Sequence, residues 1–264
     1  MTEQTAFFQP VGDELVPRPE ARGPWAENMM HGRLLAGVAA WALERDHGDP
    51  ELQFARLTVD LFRNPPMEPV RVTTTRVRDG RRVRAADASV TIGPHEVARA
   101  SALLLRRTGQ PDGRVWAPPP WDVPHPDDIA PPENGPPNPW FEMRPISSGG
   151  WGAYEQRRLW LRDHRPLVDG QPMTPFIRVA TAADFANPWA NSGDGGLAFI
   201  NADITLYIAR DPVGDWIGFE VTGHVSQAGV GIGHCNLYDL DGPIGTSTVA
   251  SVANQRMTPP TSSR

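Results

Sequence analysis

Hydrophobic and polar positions along this 264-residue chain follow two periods. From Phe54 to Phe62, Val70 to Arg78, Arg81 to Ile92 and Glu96 to Arg106 they alternate, which is the two-residue period of half-buried strands. Turn residues separate the runs at Arg63–Pro66, Asp79-Gly80 and Gly93-Pro94, and Asp-Gly between alternating segments predicts a hairpin. Ahead of them, Trp25 to Glu44 carries apolar residues at helical spacing (Leu34, Leu35, Val38, Trp41, Ala42), so the pattern predicts a mostly buried helix stopped by Gly48 to Pro50. Residues 1–24 hold Phe7, Phe8, Val11, Leu15 and Val16, broken by Pro10, Pro17 and Pro19, and read as one strand and a loop. One helix followed by antiparallel strands is an α+β unit.

The second half repeats this order. Phe176 to Ala190 has a buried-helix composition with one carboxylate, Asp184, in its middle. A glycine-rich break at Ser192–Gly196 leads into a long alternating run, Leu197 to Pro212. Its period puts Ile200, Ala202, Ile204, Leu206 and Ile208 on one face and Asn201, Asp203, Thr205 and Tyr207 on the other. Thr58–Pro65 aligns with Thr205–Pro212 at an offset of 147 residues, and with one insertion Asp79-Gly80 aligns with the segment Gln227–Gly229. An internal duplication follows, with Trp151–Leu161 as an added segment before the second helix. The expected organisation is a first unit over 1–109, a proline-rich linker over 110–145, a second unit over 146–257 and a disordered tail over 258–264. Trp116, Trp121 and Trp140 are expected to pin the linker to the folded halves.

Composition removes whole function classes. The formal charge of −6 argues against nucleic acid as a main partner. All 25 cationic residues are arginine, so Schiff-base, pyridoxal-phosphate and phosphate-loop lysine chemistry is excluded. The single cysteine, Cys235, rules out an internal disulfide and a cysteine-built metal site, and the histidines lack metal spacing, so no metal and no cofactor are expected. No apolar run is long enough for a bilayer and Met1–Pro10 lacks a signal-peptide pattern, so the expected location is cytoplasmic and away from the membrane. Gly229-Val-Gly231-Ile-Gly233 imitates a dinucleotide loop, but a strand-like run follows it; a glycine-rich strand allowing close backbone approach fits better. The arginines of Arg76–Arg84 lie largely on one solvated strand face, with the phosphates of coenzyme A as a further possible partner.

A duplicated helix-and-sheet unit carrying Gly23-Pro24-Trp25, His31-Gly32, Val59–Arg63 and Arg78–Arg81, then Ala183–Phe185, Asn201–Asp203, Arg210–Pro212, Asp241-Gly242 and Gly245, resembles the type II (TesB-like) acyl-CoA thioesterases and their actinobacterial relatives. The resemblance spans Gly23 to Arg256 and implies a double hotdog, an acyl-CoA or other acyl-thioester substrate, and a homo-oligomer, expected to be a dimer. It also implies a water held by an aspartate, a Thr or Asn, and a glutamine. Asp184 matches the aspartate and Asn201 the Thr/Asn position; the glutamine position is Val249, or Ala250 after a one-residue slip, and Gln255 is no match. A carboxylate among apolar helix neighbours gains basicity, and an amide can orient water, so Asp184 is the expected base and Asn201 its partner. His31 and Gly32, at the start of the first helix, are candidates for lining the oxyanion region. Thr248 and Ser251 are nearby substitutes for the glutamine. The alternative is an acyl-CoA or lipid-binding hotdog without catalysis, given Val249. No His–Asp pair has a spacing that fits a hotdog hydratase.

Overall fold

A computed structural model describes residues 5–24, 26–132, 140–147 and 154–254. The expectations placed on Trp25, Trp151, Gln255 and the tail 258–264 lie outside the described residues. The chain begins with strands β1 (Phe8–Val11) and β2 (Glu14–Pro17), then helix α1 (Arg33–His47) and strands β3 (Leu52–Leu61), β4 (Val70–Asp79), β5 (Val83–Ile92) and β6 (His95–Arg106). The second half has β7 (Phe141–Pro145), β8 (Arg158–Asp163), helices α2 (Pro175–Ala183) and α3 (Ala186–Asn191), and a small hairpin of β9 (Ser192–Gly193) and β10 (Gly196–Leu197). It ends with β11 (Phe199–Asn201), β12 (Asp203–Ile208), β13 (Ile217–Gln227), β14 (Val230–Asp239) and β15 (Gly242–Ala253).

Thirteen of these strands form one antiparallel sheet in the order β1-β2-β4-β5-β6-β3-β12-β15-β14-β13-β8-β7, with β11 on β15. The order is palindromic. Its centre is the β3–β12 pair, where Thr58 lies opposite Thr205, and their hydroxyls are 3.3 Å apart. Asp60 faces Asp203 and Arg56 faces Tyr207, so the register is self-complementary about Thr58 and Thr205. The same displacement of 147 residues carries β3 onto β11 and β12 together, β5 onto β14 and β6 onto β15. No insertion is needed, because β4–β5 and β13–β14 span equal stretches, 70–92 and 217–239. The β7–β8 pair holds the place of β1–β2 in this order, so Arg158–Leu161 of the segment read as an addition lies in a strand of the repeat. The architecture is α+β: each half wraps helix by sheet, and the two make a double hotdog.

The sheet encloses the helices because the inward faces of its strands are apolar. Leu57, Val59, Ala86, Val90, Ala100, Leu104, Ile204, Leu206, Leu237 and Val249 are all within a few percent of full burial. At about 25 cal/mol per Å² of apolar surface removed from water, this shared core is what holds the two halves together. Helices α1 and α2 touch directly where Gly37 meets Thr181; a Cβ on Gly37 would sit 2.6 Å from Thr181 Oγ1. Glycines of β14 serve the same end. A Cβ at Gly231 would meet the Phe199 ring at 2.9 Å, and one at Gly233 would meet Ala190 at 2.7 Å.

Several local expectations are corrected. Residues 8–17 form a hairpin rather than one strand, since Gly12 takes φ +63° and turns the chain. Helix α1 starts at Arg33, because the preceding residues pair in short bridges, Arg22 with Met30 and Met29 with Pro66. Phe141–Pro145, inside the stretch read as linker, is a strand on β8. Of the three tryptophans there, Trp121 does pin the chain, stacked on Tyr238 at 4.1 Å and packed over Gly218. Trp116 is 84% exposed and pins nothing, while Trp140 packs against the shared core and also lines a cavity.

Candidate active site

The helix carrying Asp184 is broken at that residue. Pro188 has no N–H to offer the Asp184 carbonyl and its ring would clash there, so Asn187 N–H takes that oxygen in a tighter turn at 3.0 Å. The chain turns at Asp184 and Phe185 before α3 resumes, and the carboxylate leaves the helix core for a cavity. Strand geometry delivers its partner. Ala202 interrupts the alternating run between β11 and β12 and is exposed, contrary to the face assigned to it, while Ile204, Leu206 and Ile208 stay inward. The break aims Asn201 at the helix turn, where its Nδ2 donates to Asp184 Oδ1 at 2.9 Å.

Asp184 and Asn201 sit with His31 and Gly32 in the wall of a cavity of about 720 Å³ between the two halves. Leu35, Phe62, Trp140, Phe141, Phe185 and Ile200 are among its apolar lining residues. Asp184 is 7% exposed, and its Oδ2 accepts no hydrogen bond from a described residue. Burial pushes its carboxyl above the ordinary carboxylate range, against the pull of the Asn201 hydrogen bond and the Arg33 charge. His31 Nδ1 lies 3.9 Å from Asp184 Oδ2 and accepts weakly from Arg33 N–H at 3.4 Å. Burial, reinforced by the Arg33 guanidinium, holds its pKa down to about 3. The imidazole is therefore neutral with its proton on Nε2, and the 3.9 Å contact is no salt bridge. Gly32 N–H makes no hydrogen bond to a described residue, and a Cβ at Gly32 would meet nothing within 4 Å, so the start of α1 opens onto the cavity.

The missing glutamine is not replaced from its own strand. Val249 is fully buried on the inward face of β15. Its neighbours there are committed: Ser247 Oγ donates to Ala183 O at 2.8 Å and Ser251 Oγ to Asn187 Oδ1 at 2.9 Å. Thr248 points to the other face, against His234. Neither substitute read from the sequence reaches Asp184. The arginine run at 76–84 is also remote: Arg84 donates to His47 O at the far end of α1, and Arg76 and Arg84 pair with Asp79. The arginine on the cavity is Arg63, which is exposed and has no ion pair among the described residues. Proximity to the turn after β3 is the signal that would have found it.

The internal twofold implies a second site, and it is closed. Phe54, the counterpart of Asn201, stacks on Phe176 at 4.0 Å, and both are buried. An acid persists there: Glu44 near the end of α1 accepts from Thr174, the cap of α2, at 2.6 Å. Another cavity, of about 560 Å³, lies behind Phe199 beside Arg157, Asn191 and His224, and holds none of the predicted residues. Among the described residues no His, Cys, Asp and Glu cluster suits a metal ion, and no helix is long and apolar enough to cross a membrane.

Solved structures share this architecture. The tesB protein of Mycobacterium avium subsp. paratuberculosis is 17% identical, with a TM-score of 0.67 over 93% of this chain and 95% of that one. Acyl-CoA thioesterase II TesB2 of Mycobacterium marinum is 18% identical, with a TM-score of 0.60 over 84% and 90%. A hot dog protein of unknown function from Alicyclobacillus acidocaldarius is 18% identical, with a TM-score of 0.71 over 93% and 95%. No curated protein matches the chain. Residues 21–105 match the acyl-CoA thioesterase N-terminal domain and residues 117–251 the acyl-CoA thioesterase C-terminal domain. This chain belongs to the acyl-CoA thioesterase family, a family of thioester hydrolases.

Proposed function

We propose that the protein hydrolyses acyl-CoA thioesters with a water activated by Asp184. The observation that carries this reading is the 2.9 Å Asn201–Asp184 contact at the wall of an apolar cavity, which leaves Asp184 Oδ2 without a donor among the described residues. With its nitrogen donating to Asp184 Oδ1 and to Asp203 O, Asn201 has only Oδ1 for the water. Asp184 Oδ2 takes a proton as the water oxygen bonds to the thioester carbon. The resulting oxyanion is met by Gly32 N–H and His31 Nε2–H at the start of α1, where the helix dipole favours negative charge. Collapse breaks the C–S bond, and Asp184 returns the proton to the departing thiolate. His31 thereby supplies a donor in a site that lacks the glutamine amide. It can do so because Nδ1 accepts from Arg33 N–H, which leaves the ring proton on Nε2. Arg63 at the cavity mouth fits the phosphates of coenzyme A.

A second reading, acyl-thioester binding without hydrolysis, draws on Val249. Free-thiol release over a panel of acyl-CoAs separates the two. Turnover that disappears in Asp184→Asn supports hydrolysis. Saturable binding of acyl-CoA with no thiol released supports the binder. Cytoplasmic location, a dimer, a first unit over 1–109 and a second unit that begins with β7 (Phe141–Pro145) complete the proposed picture.

A further inference from the structure

Arg33 opens α1 and is 1% exposed, although arginine is almost never fully buried unless paired. Its side chain crosses from the first half to the second, where Nη1 meets Asp163 Oδ1 of β8 at 2.5 Å; the Asp163 side chain is also 1% exposed. Three rings enclose the guanidinium: Phe7 at 5.1 Å, Phe141 at 5.7 Å and Phe185 at 5.5 Å. Yet Arg33 Nε and Asp163 Oδ2 are buried with no hydrogen-bond partner among the described residues. A buried ion pair held by one hydrogen bond is a poor stabiliser, and apolar replacement of such pairs is often neutral or stabilising. What distinguishes this pair is where it lies. Phe185, under the guanidinium, directly follows Asp184, and Arg33 is two residues after His31. Its positive charge favours the ionised form of Asp184 and the neutral form of His31.

We propose that the Arg33–Asp163 pair is the buried counter-charge of the cavity. Arg33 is a positioning residue that keeps Asp184 ionised and His31 uncharged, and Asp163 sets how much of the arginine's field reaches them. The inference deepens the hydrolytic reading above and rests on it for its catalytic meaning. Other groups face Asp184 from each neighbouring element. Asn201 on β11 is neutral, His31 precedes α1, and exposed Arg63 lines the cavity. Asp203, whose carbonyl Asn201 also touches, has its carboxylate turned to Ala250 N–H. Of the charged groups among these, only Arg33 is fully buried.

The test is direct titration of the Asp184 side chain by carbon-13 NMR, its resonance assigned by loss in Asp184→Asn. Removing the negative partner alone, Asp163→Asn, should lower the Asp184 midpoint by about one pH unit. Removing both charges, in Arg33→Met with Asp163→Asn, should raise it above wild type by a similar amount. Arg33→Lys should stay close to wild type. The double variant leaves no unpaired buried charge, so it keeps the comparison open if Asp163→Asn does not fold. Midpoints that stay put, or that move the same way in both variants, overturn the proposal. Absence of thiol release from the wild-type protein would instead defeat the hydrolytic reading, and the titration would still report on the pair.

Discussion

Replacing His31 by leucine separates a donor role from a packing role. The ring is mostly buried, neutral above about pH 3, and 3.9 Å from the carboxylate. Leucine fills similar space but offers no N–H. Loss of one positioned oxyanion donor commonly costs about 10² to 10³ in kcat, or roughly 2.7–4 kcal/mol of barrier. That loss should appear in kcat with little change in KM, because the donor acts on charge that develops only in the transition state. Stability gives an independent readout. A histidine whose folded pKa lies below its unfolded value of 6.5 contributes stability above pH 6.5 that is lost as pH falls toward about 3. The melting temperature of the wild-type protein should therefore fall more steeply between pH 6.5 and 4 than that of His31→Leu. Thiol-release kinetics and thermal unfolding across this range are the assays. A kcat within threefold of wild type, or an activity limb near pH 6 that vanishes in the variant, would refute the reasoning.

Other expectations follow from the same geometry. Arg63→Glu should raise KM for acyl-CoA by about tenfold or more and leave turnover of a pantetheine-only thioester unchanged, as measured by paired kinetics; the charge-assisted contact is worth roughly 1.5–3 kcal/mol. Val249→Gln puts an amide without a partner into a fully buried position, at a cost of about 2–4 kcal/mol. Its melting temperature should drop by roughly 5–10 °C, with no more than a few-fold gain in activity; a large gain would favour the binder. Gly37→Ala should destabilise by about 1–2 kcal/mol in denaturant titration. The 2.6 Å clash with Thr181 outweighs the ~1 kcal/mol helix-propensity gain.

The strands were legible because half-buried antiparallel sheet writes itself as alternation, and the 147-residue repeat because its strand pairs span equal stretches in both copies. The Asp184–Asn201 pair was legible as two residues, but its geometry was not. It depends on the turn that Pro188 imposes at Asp184 and Phe185, and on Ala202 interrupting a strand that reads as unbroken. Arg33 gave no signal at all. An arginine at a helix start reads as solvated, and only the tertiary crossing of β8 buries it. β7 was missed because FEMRP is only five residues long, has no β-branched residue, ends in proline and follows a proline-rich stretch that reads as linker.

Asp184→Asn tests the central claim most directly. The amide keeps the shape, and its oxygen can still accept from Asn201, while the proton acceptor is lost. Thiol release should fall by about 10² to 10⁴. The melting temperature at pH 7–8 should hold or rise, since burial disfavours the carboxylate that is removed. Turnover equal to wild type in a folded variant would contradict the account.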